Sequence, residues 1–317
     1  MHFSIIIVNY NLSNEVRNCL NSLKQFVNKS DFEIILVDNN SDDKTINEIA
    51  EDFSNTSNFS FRFIKTVKNI GFGNACNLAA ESANGTYLCF LNPDTEIKSD
   101  VFSFILDKYK DPDLTKGIAG FNVAETGFVD YSAGYFPNLF FEALNIFSLG
   151  RVFEAFLVKV KSRLNKKDMI NLDWVMGAAF FINRDLFIEL NGFDSDYFLY
   201  FEEMDLCKRA KNSGAVVKYF PSVKVDHIGS AGSKKNYYFF TKMFYKGKLL
   251  FLNKHSKRHF LYIYQIFMFL HILTQILLWK ILSFNNKSKS QGKISAFREV
   301  LSHLSSPQNL SNNPVQI

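Results

Sequence analysis

Three carboxylates fall within four residues at Glu202, Glu203 and Asp205, inside the run Tyr200-Phe201-Glu202-Glu203-Met204-Asp205-Leu206. Glu and Asp are among the residues least often fully buried. A cluster of them beside Phe198, Tyr200 and Phe201 points to a cleft, a metal or a substrate that needs a base. Desolvation and like-charge crowding raise a carboxyl pKa, which suits a general base. Ordinary helix chemistry accounts for the same residues. From Phe201 onward the spacing is helical, with Leu206 and Ala210 on one face and Asp205 opposite Arg209 at i+4. An acidic first turn also complements a helix N-terminus. The spacing alone leaves both readings open.

The elements that would position such a cluster are legible upstream. Phe3 to Val8 is a β-branched apolar run that reads as a strand buried on both faces. It opens into Asn9-Tyr10-Asn11, and Ser13 or Asn14 can cap a helix reaching about Phe26. Glu33 to Val37 is a second such strand, ending in Asp38-Asn39-Asn40-Ser41-Asp42-Asp43. A helix over 44–53 and a strand near Phe61 to Thr66 follow. Asn69-Ile70-Gly71-Phe72-Gly73-Asn74 then opens a helix to about Ser82, and the strand Thr86 to Leu91 ends in Asn92-Pro93-Asp94. Four strands alternating with helices predict an α/β fold with an open parallel sheet. Ligands bind such sheets beyond the carboxyl ends of the strands, so Asn9, Tyr10, Asp38, Asn40 and Asp94 should gather on one edge.

Each motif has a plainer use. Asp38 could cap the helix at 44–53 or accept a hydrogen bond from a nucleotide base. The Asn69–Gly73 loop lacks both the GxGxxG order and a GK[ST] ending, so it is neither a dinucleotide fingerprint nor a P-loop. Its glycines still suit a phosphate approaching helix N–H groups. Asn92-Pro93-Asp94 could be a turn, and a carboxylate at a strand end beside a diphosphate is also how Mg²⁺ or Mn²⁺ is held.

Farther along, a helix is predicted at about 100–110 and a strand from Gly117 to Val123. Residues 124–172 read as irregular and Phe-rich, with helix inside Leu139 to Arg163. Trp174 to Asn183 reads as a strand with close backbone approach at Gly177. A helix over Arg184 to Leu190 is closed by Asn191-Gly192. Past the acidic helix, Val216 to Phe220 reads as a strand ending at Pro221, and Val223 to His227 as a short extended run.

Composition narrows the class. The 317 residues suffice for one large domain with an appendage, and a net charge of +5 gives no reason to expect nucleic acid. The four cysteines, Cys19, Cys76, Cys89 and Cys207, are scattered without a CxxC pair and read as buried thiols in a reducing compartment. The start, MHFSIIIVNYN, lacks the basic region and long apolar run of a signal peptide, so a cytoplasmic location is expected.

Taken in order, Val8-Asn9-Tyr10-Asn11, VDNNSDD from Val37, NIGFGNACN from Asn69, LNPD ending at Asp94, and GAAFFINRDLF…NGFD…YFEEMDLCKR…H ending at His227 resemble the family 2 glycosyltransferases of GT-A fold. The likeness covers about residues 3–232 and lies nearest the bacterial rhamnosyltransferase-like branch. It implies a GT-A, Rossmann-like open sheet with flanking helices and an inverting hexosyltransferase. Val8, Asn9, Tyr10, Asp38 and Asn40 stand at the nucleoside-binding edge, and Asn69, Gly71 and Asn74 along the donor diphosphate. Asp94 stands where the family's DxD motif ends and would hold the divalent cation, Mg²⁺ or Mn²⁺, with Asn92 in place of the first acid. His227 resembles a histidine that completes the metal shell in some members. Glu203 stands at the catalytic base, with Glu202 the neighbouring alternative, and Trp174 and Asp196 resemble residues near the donor sugar and acceptor. The reaction implied moves a sugar, plausibly L-rhamnose from dTDP-L-rhamnose, to a lipid-linked glycan acceptor in surface polysaccharide synthesis. The same fold with another donor, such as a UDP-hexose, and a non-catalytic nucleotide-sugar-binding protein are the alternatives. Asp38, Asp94, Glu203 and His227 speak against the second.

The chain changes character near residue 233. Lys234, Lys235, Lys242, Lys246 and Lys248 interleave with Tyr237, Phe239, Phe240 and Phe244, and no acid occurs between Asp226 and Glu299. His259 to Trp279 then carries no Asp, Glu, Lys or Arg. Basic-aromatic followed by apolar is the pattern of a membrane-surface segment, and the apolar stretch is long enough to span a bilayer. Gln265, His271, Thr274 and Gln275 interrupt it on one half of a helical wheel, which favours in-plane or shallow insertion over a span; a core helix is the remaining alternative. The expected organisation is a catalytic domain at 1–232, a helical membrane-association segment at 233–302 on the cytoplasmic face of the plasma membrane, and a disordered tail at 303–317.

Overall fold

The computed structural model describes residues 1–26, 31–56, 59–124, 131–165, 169–227, 236–284 and 287–304. The first half runs β1 (Phe3–Asn9), α1 (Ser13–Lys24), β2 (Phe32–Asp38), α2 (Thr45–Thr56), β3 (Ser60–Lys65), α3 (Phe72–Glu81), β4 (Tyr87–Leu91), β5 (Thr95–Glu96), α4 (Val101–Lys108), α5 (Pro112–Thr115) and β6 (Ile118–Ala124). Then come β7 (Ala133–Gly134), α6 (Leu139–Asn145), α7 (Gly150–Leu164), β8 (Ile170–Asn171), β9 (Trp174–Val175), β10 (Ala179–Asn183), α8 (Arg184–Glu189), α9 (Glu202–Asn212) and β11 (Val217–His227). Three helices close the described chain: α10 (Tyr237–His255), α11 (Arg258–Ile281) and α12 (Lys287–Leu304).

β1 and β2 have no exposed residue, which is why their sequences are unbroken apolar runs. Alternate side chains serve opposite faces. Ile5 and Ile7 pack with α1, α2 and α4, while Ile6 and Val8 pack with α3, α8 and α9. The main sheet follows the order β3-β2-β1-β4-β10-β6-β11-β5. Its first four strands are parallel, as the alternation predicts. β10 runs antiparallel to β4 and β6, and β6 and β11 are parallel again. The register sets Asn9 beside Asp38 and Ile7 beside Leu91, so the polar residues following these strands share one edge.

Three local expectations differ. The strand foreseen over Trp174 to Asn183 divides: β9 pairs with β7 in a small second sheet, β10 joins the main one, and Gly177 lies between them. β11 does not stop at Pro221 but runs to His227. The proline, which cannot donate to the ladder, falls where the pairing with β6 shifts register, between Phe220 and Lys224. The helix foreseen inside Leu139 to Arg163 is divided into two, α6 and α7. Of the foreseen tail, 303 and 304 finish α12, and residues 305–317 lie outside the described residues, as do Lys234 and Lys235.

α10 to α12 form a layer of their own. Tyr245, Leu249, Met268, Ile272, Phe297 and Val300 make its core, and Phe251 of α10 reaches into the core beneath the main sheet.

Candidate active site

The nucleoside-side edge is built on Asn9 and Asp38, both buried. The Asn9 amide donates to Asp38 Oδ1 at 3.1 Å and to Ser41 Oγ at 2.9 Å, while its oxygen accepts the Leu12 N–H at 3.1 Å. Asp38 Oδ1 also accepts the Ser41 N–H at 3.3 Å. Asp38 is therefore not the cap of α2; Asp43 fills that place, accepting the Thr45 N–H at 3.0 Å. Val8 is buried one residue inside the edge, and Tyr10 and Asn40 stand exposed on it.

Asn39, which the sequence reading passed over for Asn40, organises the next loop. Its amide donates to Asn69 Oδ1 at 3.0 Å and to the Gly71 carbonyl at 3.2 Å, and its oxygen accepts the Ile70 N–H at 3.0 Å. Asn69 Oδ1 accepts the Gly71 N–H. Gly71 has φ +85, and a Cβ there would stand 2.4 Å from the Phe198 carbonyl oxygen, so only glycine fits. That carbonyl accepts the Phe72 N–H at 3.0 Å, and the Asn74 amide donates to the Ile70 and Ser195 carbonyls. The loop is thus clamped to residues 195–198, just ahead of the acidic helix.

The acidic helix starts abruptly. Tyr200 and Phe201 both lie in the left-handed region, at φ 70 and 72. For bulky residues this is a strained conformation, of the kind held at functional sites. Glu202 is buried, and its Oε2 has no hydrogen-bond partner among the described residues. Burial, then the neighbouring charge of Glu203, raises its pKa well above the carboxylate range. Glu203 is half-buried. Burial raises its pKa too, opposed by backbone hydrogen bonds, including one from Gly177, and by the charge of Arg151. Burial and the neighbouring carboxylate thus disfavour ionisation of Glu202, whereas the backbone hydrogen bonds and Arg151 favour the charged form of Glu203. Asp205 is apart from them. Its oxygens are taken by Arg209 Nε at 2.7 Å, as the i+4 spacing predicts, and by His255 Nε2 at 2.6 Å.

Asp94 Oδ1 lies 3.0 Å from His227 Nε2, across 133 residues of sequence. The two are within direct hydrogen-bonding distance of each other. A carboxylate oxygen and an imidazole nitrogen are also donor types that a divalent cation accepts. Among the described residues no third His, Cys, Asp or Glu joins them. The Asn92 N–H donates to the Ala178 carbonyl, next to the Gly177 that bonds Glu203. The strand end bearing Asp94 and the helix bearing Glu203 therefore meet through Gly177-Ala178.

Two foreseen residues sit differently. Trp174 is buried, its indole N–H donating to the Tyr135 carbonyl at 3.1 Å. Asp196 is exposed and ion-paired with Lys254 at 2.6 Å. Arg151, at the start of α7, was not foreseen. Its guanidinium lies over the rings of Tyr131 and Phe244, and its only sequence signal is a lone cation in FSLGRVFEAF.

Residues 4–190 match the family model described as Glycosyl transferase family 2. The chain is 25% identical over 248 residues to Rhamnosyltransferase WbbL of Escherichia coli (strain K12), covering 76% of this chain and 87% of that protein. It is 24% identical over 207 residues to the N-acetylglucosaminyl-diphospho-decaprenol L-rhamnosyltransferase of Mycobacterium tuberculosis, covering 61% of this chain and 66% of that protein. It is 26% identical to the teichoic acid poly(glycerol phosphate) polymerase of Staphylococcus epidermidis, of whose length it spans only 45%. Among solved structures, the mannosyltransferase of Pyrobaculum calidifontis in complex with GDP-Man and Mn²⁺ superposes with a TM-score of 0.61 at 12% identity. That match covers 97% of this chain and 88% of that one, and the fold it shares is GT-A.

Proposed function

The chain belongs to glycosyl transferase family 2, and on that premise we propose an inverting, metal-dependent transfer of a sugar to a lipid-linked glycan acceptor. The sugar we propose is L-rhamnose, from dTDP-L-rhamnose, in bacterial surface polysaccharide synthesis at the cytoplasmic face of the membrane. The names of the E. coli and M. tuberculosis relatives support rhamnose as the sugar, and the M. tuberculosis name supports a lipid-linked acceptor.

The observation that carries the reading is Glu203: half-buried, beside the buried Glu202, and joined through Gly177-Ala178 to the strand end that leads to Asp94. Glu203 takes the proton from the acceptor hydroxyl. The freed oxygen attacks the anomeric carbon from the face opposite the diphosphate, and the sugar–diphosphate bond breaks with its electrons on the nucleoside diphosphate. Asp94 and His227 would hold Mg²⁺ or Mn²⁺, which offsets charge on that leaving group. Asn9, Tyr10, Asp38 and Asn40 orient the nucleoside, and Asn69, Gly71 and Asn74 line the diphosphate. Asn92 and Trp174 complete the donor side, Trp174 as a buried support and not as a surface that touches the sugar.

We assign residues 1–232 to catalysis and 233–302 to membrane association, with α10 as the joint between them. The test is a panel of nucleoside-diphosphate sugars scored by thermal shift with and without Mn²⁺. A dTDP-L-rhamnose response that requires the cation supports the reading. A response to a UDP-hexose alone moves the donor assignment. No response to any nucleotide sugar sinks it.

A further inference from the structure

α11 inverts the pattern of a helix on a water-soluble protein. Its polar side chains face the molecule. The Tyr264 hydroxyl donates to the Pro137 carbonyl, His271 bonds the Asn145 carbonyl, Thr274 Oγ1 donates to the Ile146 carbonyl, and Gln275 reaches Ser148. The opposite face carries Tyr262, Ile266, Leu273, Leu277 and Ile281, all exposed and spaced to form one stripe. Those polar bonds land on Pro137 just before α6, on α6 and on the α6–α7 turn, and the α6–α7 hairpin has an exposed apolar face too: Phe140, Phe147, Leu149, Val152, Phe153 and Phe156. Three of these rings form a chain, Phe140 to Phe153 at 5.7 Å and Phe153 to Phe156 at 6.3 Å. Phe147, 72% exposed, lies between Ile146 and Ser148, the two residues that α11 grips. It joins the two faces at their seam.

We propose that the exposed face of the α6–α7 hairpin enters an anionic bilayer together with α11, so that the enzyme lies on lipid through a two-part apolar platform. The proposal rests on the membrane-surface reading of the C-terminal segment and adds an element from the middle of the catalytic domain to it. Charge selects lipid over a second copy of the chain. Lys257, Arg258 and Lys280 flank α11, Lys159 and Arg163 lie exposed on α7, and Lys289 and Lys293 stand over the Trp279 ring. Two copies meeting here would set like charges against each other, whereas anionic headgroups attract each cation. The neighbouring helix selects an in-plane pose. α12 packs along α10 and α11 and bears Lys287, Lys289, Lys293 and Arg298. A spanning α11 would carry these charges into hydrocarbon, where each is costly. The pose also reaches the site. Arg151 on α7 lies over Phe244, whose ring centroid is 5.3 Å from that of Phe201, the residue before Glu202.

The test uses full-length protein and vesicles of phosphatidylglycerol in phosphatidylcholine. F147E/F156E leaves α11 intact and should weaken partitioning about tenfold or more, with donor-induced thermal shift unchanged. A nitrobenzoxadiazole dye on Phe147→Cys, with the four native cysteines buried, should shift to the blue when vesicles are added. Wild-type protein that ignores the vesicles contradicts the membrane reading itself, and the platform with it. Wild-type binding that F147E/F156E matches, or a dye that stays water-exposed on bound protein, overturns the hairpin's part alone. So does a variant that loses self-association and not lipid binding.

Discussion

Glu202 and Glu203 are adjacent carboxyls that burial makes harder to ionise, and for a general base that has a kinetic signature. Burial lifts Glu203 above the ordinary glutamate value of about 4.3. A base works only when ionised, so kcat should fall as pH drops through this raised pKa, with its acid limb above about pH 4.3. The pH profile of kcat under saturating donor checks it; a rate flat down to pH 4 would remove Glu203 from the role. Asp94 makes a separate prediction. Asp94→Ala should abolish transfer and the metal-dependent part of donor binding, so that its donor affinity equals that of wild-type protein in EDTA. Isothermal titration reads both, and a variant that turns over normally in EDTA ends the metal assignment. Much at this scale was legible in the sequence. Asn9, Asp38 and Asp94 end buried strands, where a polar residue has little other reason to stand. Asn39 and Arg151 were not legible, because their partners lie 20 residues or more away and no local period records such pairs.

At the scale of elements, α9 is tied to α10 by charge. Burial disfavours the Asp205 carboxylate, but the hydrogen bond from His255 and the charge of Arg209 outweigh it and hold its pKa below the usual value. A depressed carboxyl pKa stabilises the fold above the unfolded value, near 3.9, and that stability is lost as pH falls through the folded one. Asp205→Asn should therefore lower Tm at pH 7 and flatten the dependence of Tm on pH below about 4. A melt series over pH 2.5–7 decides, and an unchanged slope contradicts the pairing. α6 and α10 are joined by a buried ion pair, Lys248 Nζ to Glu142 Oε2 at 2.6 Å. Lys248→Met strands the carboxylate and should cost about 3–5 kcal/mol, while adding Glu142→Gln should restore most of it. Urea unfolding of the two variants measures this, and equal losses would show that the pair does not couple the helices. Apart from the two-residue β5, the strands and helices up to α4 were foreseen because each carries its own period and stop signal. The boundaries of β9, β10 and β11 were misjudged. Their boundaries come from tertiary facts: a glycine approaching Glu203, and a proline absorbed by a register shift.

The whole molecule sets a GT-A sheet, to whose polar edge we assign the donor, beside a layer of helices that presents apolar side chains outward. The apolar character of α11 was legible through composition, which needs no contacts to read. The exposure of Phe147 and Phe156 on the α6–α7 hairpin was not, because exposure is set by tertiary packing. The account's central claim is that one carboxylate, Glu203, activates an acceptor held at that surface. It is tested most directly by the rate of sugar transfer to a polyprenyl-diphosphate-linked acceptor in anionic vesicles, comparing wild type with Glu203→Gln and using the donor the panel identifies. The glutamine keeps the size and most of the hydrogen bonding but cannot take a proton. The account predicts a fall in kcat of about 10²–10⁴-fold, with donor affinity nearly unchanged. Wild-type turnover by Glu203→Gln, above all with loss of turnover in Glu202→Gln, would contradict it.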